Sequence, residues 1–172
     1  MVPGMTPFTV IMGVSGCGKS TIGQDVADAI GGVFLEGDSF HPPENKEKMG
    51  NGIALTDEDR WPWFDRLVDA AEKTIAENQT PVLACSALKK SYRDYLFLKF
   101  PEHRLVYLEG SFDLIKRRMD ERDHEYMTSD LLKSQFATLE APESEGSTLE
   151  VSIEKSPEKI TNETLEWLKS SS

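Results

Sequence analysis

At 172 residues, with 38% hydrophobic and 28% charged side chains, the chain has the length and balance of a globular domain able to bury a core. A formal net charge of −11 argues against a nucleic-acid backbone as the main partner, because phosphate contacts need a basic surface. No apolar run is long enough to span a bilayer, and the two cysteines and three histidines show neither zinc nor disulfide spacing.

The N-terminal six residues lack a basic region followed by an apolar stretch, so cytoplasmic residence is expected. The apolar, β-branched run at 8–12 reads as a buried strand leading into glycine-rich sequence. Apolar spacing at Ile22, Val26, Ala29 and Ile30 predicts a helix over 21–30, closed by Gly31-Gly32. A second buried strand follows at 33–35, ending at Glu36-Gly37-Asp38. His41-Pro42-Pro43 opens a polar stretch that bars a central strand, and 46–49 reads as a helical turn. Thr56 before Asp57, Glu58 and Asp59 has the chemistry of a helix cap and an acidic first turn. That helix is expected to reach about Asn78, with Trp63, Leu67, Val68, Ala71 and Ile75 inward and Pro62 close to its start.

Beyond it the pattern predicts a strand at 81–85, a helix at 88–98, a strand at 104–108 and a helix at 112–120. A charged stretch at 121–130 precedes a helix at 131–139, a loop at 141–147, a strand at 149–153 and a closing helix at 157–168. Strands alternating with helices imply α/β architecture, one domain over 1–172 with a parallel sheet of about five strands covered on both faces.

Gly13, Val14, Ser15, Gly16, Cys17, Gly18, Lys19 and Ser20 complete the G-x-x-x-x-G-K-[ST] pattern between a strand and a helix, the context this motif requires. Glycines let backbone N–H groups turn inward around phosphate oxygens, and the helix start adds its positive dipole end. Lys19 is expected at the β- and γ-phosphates of ATP, Ser20 at Mg²⁺, and Thr21 at an inner phosphate. Cys17 is either a thiol activated by the helix terminus or a small side chain at a variable position.

The remaining loops select among phosphate-loop proteins. Asn45-Lys46-Glu47-Lys48 lacks the aspartate of a guanine-reading motif, so a GTPase is disfavoured. Asp38 stands past the end of the second strand, where α/β sheets place ligands, and a carboxylate there can orient or deprotonate an attacking hydroxyl. Glu36 and Glu109 are the other acids at strand ends. Arg60, beside Trp61 and Trp63, either presents a guanidinium fork to a substrate carboxylate or pairs with Asp57 or Asp59. Arg117, Arg118 and Arg122 gather before the charged stretch, either as a lid that closes over ATP at about 121–130 or as a solvated basic face.

Several blocks together resemble the gluconate kinase family over nearly the whole chain: GVSGCGKST at 13–21, LEGDSFHPPENKEKM at 35–49, LTDEDRWPW at 55–63, ACSALKKSYRD at 84–94 and LLKSQFATLE at 131–140. The resemblance implies a three-layer phosphate-loop kinase fold with a lid, often homodimeric, that uses Mg-ATP to phosphorylate the terminal hydroxyl of D-gluconate. On it, Asp38 would orient or activate that hydroxyl, and Arg60, His41 and Lys46 would lie in the sugar-acid pocket. Arg93 and Gln135 are implied as further pocket candidates, with Lys89 beside Arg93 in a block open to contact or scaffold roles. Arg118 and Arg122 are implied as lid groups over ATP. The chain departs from the family where the lid arginine precedes a His-Phe-Met string: Asp123-His124-Glu125-Tyr126-Met127 displaces the histidine by one position.

Overall fold

The computed structural model describes residues 8–122, 129–143 and 146–170. Five parallel strands, β1 (Phe8–Met12), β2 (Val33–Glu36), β3 (Pro81–Ala84), β4 (His103–Glu109) and β5 (Thr148–Ser152), form one sheet in the order β2-β3-β1-β4-β5. The helices are α1 (Lys19–Ile30), α2 (Pro43–Gly50), α3 (Asp57–Ala76), α4 (Lys90–Phe97), α5 (Phe112–Arg122), α6 (Ser129–Thr138) and α7 (Pro157–Ser170). No helix among the described residues is long and apolar enough to cross a membrane.

Strand alternation divides the core between the two faces of the sheet. Phe8, Val10 and Met12 of β1 pack with Trp63, Phe64 and Leu67 of α3 and with Tyr92 and Leu96 of α4. Ile11, on the opposite face, joins Ile22 and Val26 of α1, Ile115 of α5 and Ile160 and Leu168 of α7. These two apolar layers produce the expected three-layer α/β fold.

The helix boundaries show local chemistry at work. Thr56 accepts from the Asp59 N–H while the Asp59 carboxylate accepts from the Thr56 N–H, a reciprocal cap that starts α3 where the acidic run predicts it. Pro62 sits six residues into α3 rather than at its start, so the carbonyl one turn earlier lacks its usual helical donor. The turn expected at 46–49 is an eight-residue helix, α2, because Pro43 at its first position needs no intrahelical donor. Helix α4 begins at Lys90 instead of 88, since Ala87 holds a left-handed conformation at φ 44°.

Candidate active site

Strand register sets out the site. Ile11 of β1 and Glu36 of β2 both pair with Ala84 of β3, so the three strands leave the sheet level with one another. Two residues further on stand Gly13, Asp38 and Ser86, spread over two strand spacings, about 10 Å. This is the carboxyl edge of the sheet, at the point where the chain crosses from one side of β1 to the other.

A cleft of about 490 Å³ opens there, a volume suited to a small-molecule ligand. At one end it is lined by Ser15, Gly16, Gly18, Lys19, Ser20 and Thr21, and at the other by Asp38, His41, Lys46, Arg60 and Trp63. Gly18 adopts φ 94° immediately before α1, a conformation that a side chain would strain, and α1 therefore begins with Lys19. Gly13, Val14 and Cys17 do not line the cleft. Val14 and Cys17 are buried in the α1 layer, and the Cys17 N–H bonds to the Val14 carbonyl at 3.3 Å. Burial pushes the Cys17 thiol up despite the opposing charge of Lys19, so the helix terminus does not activate it.

Asp38 rides on a 3₁₀ turn, Gly37–Phe40, that continues β2. A Cβ on Gly37 would lie 2.4 Å from the Ala84 carbonyl oxygen, so only glycine allows this close approach. Trp63 Nε1 donates to the Gly37 carbonyl at 2.8 Å and ties the turn to α3. The Asp38 side chain is 75% exposed and therefore open to a reactant entering the cleft.

His41 is nearly fully buried, with its ring stacked on Trp63 at 3.8 Å. Asn45 Nδ2 donates to the Asp59 carbonyl at 2.9 Å, which sets the amide orientation, and the same nitrogen lies 3.2 Å from His41 Nδ1. An amide nitrogen only donates, so Nδ1 is the accepting nitrogen and the ring proton sits on Nε2. Nε2 lies 3.9 Å from Asp38 Oδ1, beyond hydrogen-bond reach. Burial, opposed by Asp38 and reinforced by Arg60 and Lys46, holds the imidazole down to about 4.

Arg60 pairs with neither nearby acid. Asp59 bonds Lys48 at 2.7 Å, an interaction that draws its carboxyl down to about 2, and Asp57 takes Lys89 at 3.2 Å. The Nη1 of Arg60 donates instead to the Leu55 carbonyl at 2.8 Å and to the Tyr92 hydroxyl at 2.9 Å.

Three candidates serve other bonds. Arg93 is buried, and its guanidinium donates to the carbonyls of Ala87, Leu88 and Glu140 at 2.8, 3.1 and 2.8 Å. It braces the left-handed turn beside Ser86 and is absent from the cleft lining. Gln135 reaches the cleft, but its Oε1 accepts the Ser15 N–H at 2.8 Å and its Nε2 donates to the Ser15 hydroxyl at 3.2 Å, so it grips the phosphate loop. Arg118 donates to the Ile153 carbonyl at 2.8 Å and is absent from the cleft lining, although its charge acts on Cys17. The Arg122 side chain and the altered string at 123–128 lie outside the described residues. Sequence reasoning missed Ser86, which lines the cleft, and Asn45 and Tyr92, which contact His41 and Arg60 that line it; the one-turn spacing of Asn45 from His41 is the signal that could have found Asn45.

Among the described residues no group of three acidic, histidine or cysteine side chains could hold a metal unaided. The Ser20 hydroxyl, a hard oxygen donor at the cleft, suits a cation held mostly through phosphate oxygens.

The sequence profile of the family described as Shikimate kinase matches residues 15–169. The "Probable gluconokinase" of Mus musculus is 41% identical over 93% of this chain and 96% of its own length. The chain belongs to the gluconokinase family. The "Thermosensitive gluconokinase" of Escherichia coli strain K12 is 44% identical over 79% of this chain and 73% of its own. The crystal structure of a gluconokinase from Sinorhizobium meliloti 1021 superposes with a TM-score of 0.86 at 43% identity, covering 96% and 93% of the two chains. Gluconokinase kinship of this extent and a phosphate loop opening into a polar cleft describe a kinase acting on a small acceptor.

Proposed function

We propose that this chain transfers the γ-phosphoryl group of ATP to the terminal hydroxyl of D-gluconate, forming 6-phospho-D-gluconate, and that residues 1–172 act as one catalytic domain. The observation that carries this reading is the single cleft in which the phosphate loop, Asp38 and Arg60 meet. Gluconate has a carboxylate at one end and the reacting hydroxyl at the other, and the cleft offers a cation, Arg60, for the first and a carboxylate, Asp38, for the second.

The residues take their roles from chemistry. Lys19 and the loop N–H groups hold the phosphates and balance charge on the transferred group. Arg60 receives the gluconate carboxylate, Lys46 adds positive charge beside it, and the Nε2–H of His41 offers a donor to a sugar hydroxyl. Asp38 aims the terminal hydroxyl at the γ-phosphorus. As the new O–P bond forms, the bond to the β–γ bridging oxygen breaks and its electron pair leaves with ADP. The hydroxyl proton passes late to the Asp38 carboxylate, as suits a loose transition state. Mg²⁺, with Ser20 as its protein ligand, would neutralise charge building on the phosphate oxygens.

A coupled ADP-release assay with gluconate, shikimate, neutral sugars and nucleoside monophosphates tests the reading. ADP release that depends on gluconate, with 6-phosphogluconate as product, is expected. Release with shikimate or a nucleotide and none with gluconate would overturn it.

A further inference from the structure

Arg60 is held by a chain of side chains that no part of the transfer chemistry requires. The Tyr92 hydroxyl is buried between two groups: it accepts from Arg60 Nη1 at 2.9 Å and donates to the Asp57 carboxylate. A hydroxyl has one proton, so the direction of both bonds is determined: Arg60 to Tyr92, Tyr92 to Asp57. Asp57 is held in turn by Lys89 Nζ at 3.2 Å, at the start of α4. The Arg60 guanidinium also lies over the Tyr92 ring, 5.0 Å from its centroid.

The second N–H of Nη1 goes to the Leu55 carbonyl at 2.8 Å, so both protons on that nitrogen are engaged. Among the described residues, Nε and Nη2 have no hydrogen-bond partner, and these two form the side edge of the guanidinium plane. That edge matches a carboxylate with two parallel N–H···O bonds. We propose that Tyr92 is a positioning residue for substrate specificity: with Asp57 and Lys89 behind it, it fixes the Arg60 plane so that the Nε–Nη2 edge is kept for the carboxylate of the acceptor. The inference rests on the gluconate reading and names the device that holds the carboxylate end.

The tie joins three parts of the sheet's α3–α4 side: the loop before α3, at Leu55, the first turn of α3 and the first turn of α4. Arg60 and Asp57 are three residues apart in that turn, so one hydroxyl 32 and 35 positions away is set by both. The ring of Tyr92 has a separate duty in the core, packed against Phe64 and Trp61. Removing the hydroxyl alone therefore separates positioning from packing.

The test compares wild type, Tyr92→Phe, Arg60→Lys and the double variant in the ADP-release assay, with circular dichroism melts on each. Tyr92→Phe is expected to raise the gluconate KM about tenfold, with kcat and the ATP KM within about twofold, since hydrogen bonds to charged groups carry about that factor. In the Arg60→Lys background the same change is expected to add less than twofold, because the group it positions is gone. If Tyr92→Phe fails to fold, Asp57→Asn, at a half-exposed side chain, carries the test with an expected rise of about threefold in gluconate KM alone. A wild-type gluconate KM in the folded Tyr92→Phe or Asp57→Asn variant, or full additivity with Arg60→Lys, overturns the positioning role and leaves the gluconate reading intact. Absence of gluconate-dependent turnover in the wild type overturns both.

Discussion

The two ends of the cleft are made of different material. The phosphate-loop end is a contiguous segment lined by Lys19 and the hydroxyl residues Ser15, Ser20 and Thr21, in which glycine supplies the geometry. The acceptor end is assembled from a 3₁₀ turn, α2, the loop to Leu55, α3 and α4, held by side chains that support one another: Asn45 behind His41, Trp63 behind Gly37, Tyr92 behind Arg60. A backbone-built site reads the same ligand group in many proteins, whereas a side-chain-built pocket changes its ligand through a few substitutions. The difference explains how one fold serves many acceptors.

Breaking the phosphate end is expected to have the largest effect. Lys19→Ala removes the nearest fixed cation from the transferred group and is expected to lower kcat by about 10³–10⁵-fold, with gluconate affinity retained in equilibrium titration. Loss of gluconate affinity in that variant would show that the two ends are not separable. At the acceptor end, Asp38→Asn keeps the shape of the side chain but removes its basicity, and a fall in kcat of about 10²–10⁴-fold is expected. Its ATP affinity, measured by calorimetry, is expected to stay within about threefold; wild-type kcat would shift the search to Glu36 or Glu109.

The smallest effect sharpens the contrast through pH. The phosphate loop contains no histidine or carboxylate, while the acceptor end holds His41 at about 4, below the ordinary histidine value near 6.5. The folded state therefore binds fewer protons at this site than the unfolded chain. The stability that His41 contributes is complete above about pH 6.5 and is lost as pH falls through about 4. Urea midpoints of wild type and His41→Gln are expected to diverge above pH 6 and converge toward pH 4, and parallel curves would place the titration elsewhere.

Legibility followed the same division. Phosphate loop, strand alternation and the Thr56 cap all rest on neighbours in sequence, so local pattern sufficed to place them. Asp38 is legible from its place past a strand end and Arg60 from its tryptophan neighbours, His41 and Lys46 only through block resemblance, and all four line one cleft. Long-range partners decided the rest. Arg93 and Gln135 stand in distinctive strings, yet carbonyls and a loop serine as far as 120 positions away take their donors. A tyrosine at helical spacing with Leu96 reads as core, and the Tyr92 ring is core; only its hydroxyl turns to Arg60. Helix α2 exceeds the turn expected at 46–49 because two prolines and a run of charges conceal a helix whose buried residue is one asparagine.

Burial of the thiols has a practical consequence. Cys17 lies in the apolar layer beside α1 and Cys85 in the layer beside α3, on opposite faces of the sheet. Both are nearly inaccessible, and burial raises both thiols, Cys85 to about 12. The native protein is thus silent toward thiol-labelling reagents, and a cysteine reacts only when its own half of the core opens. The chain carries two built-in clocks of its breathing motions, one on each side of the sheet, and ligand binding at the cleft edge should slow whichever half it ties down.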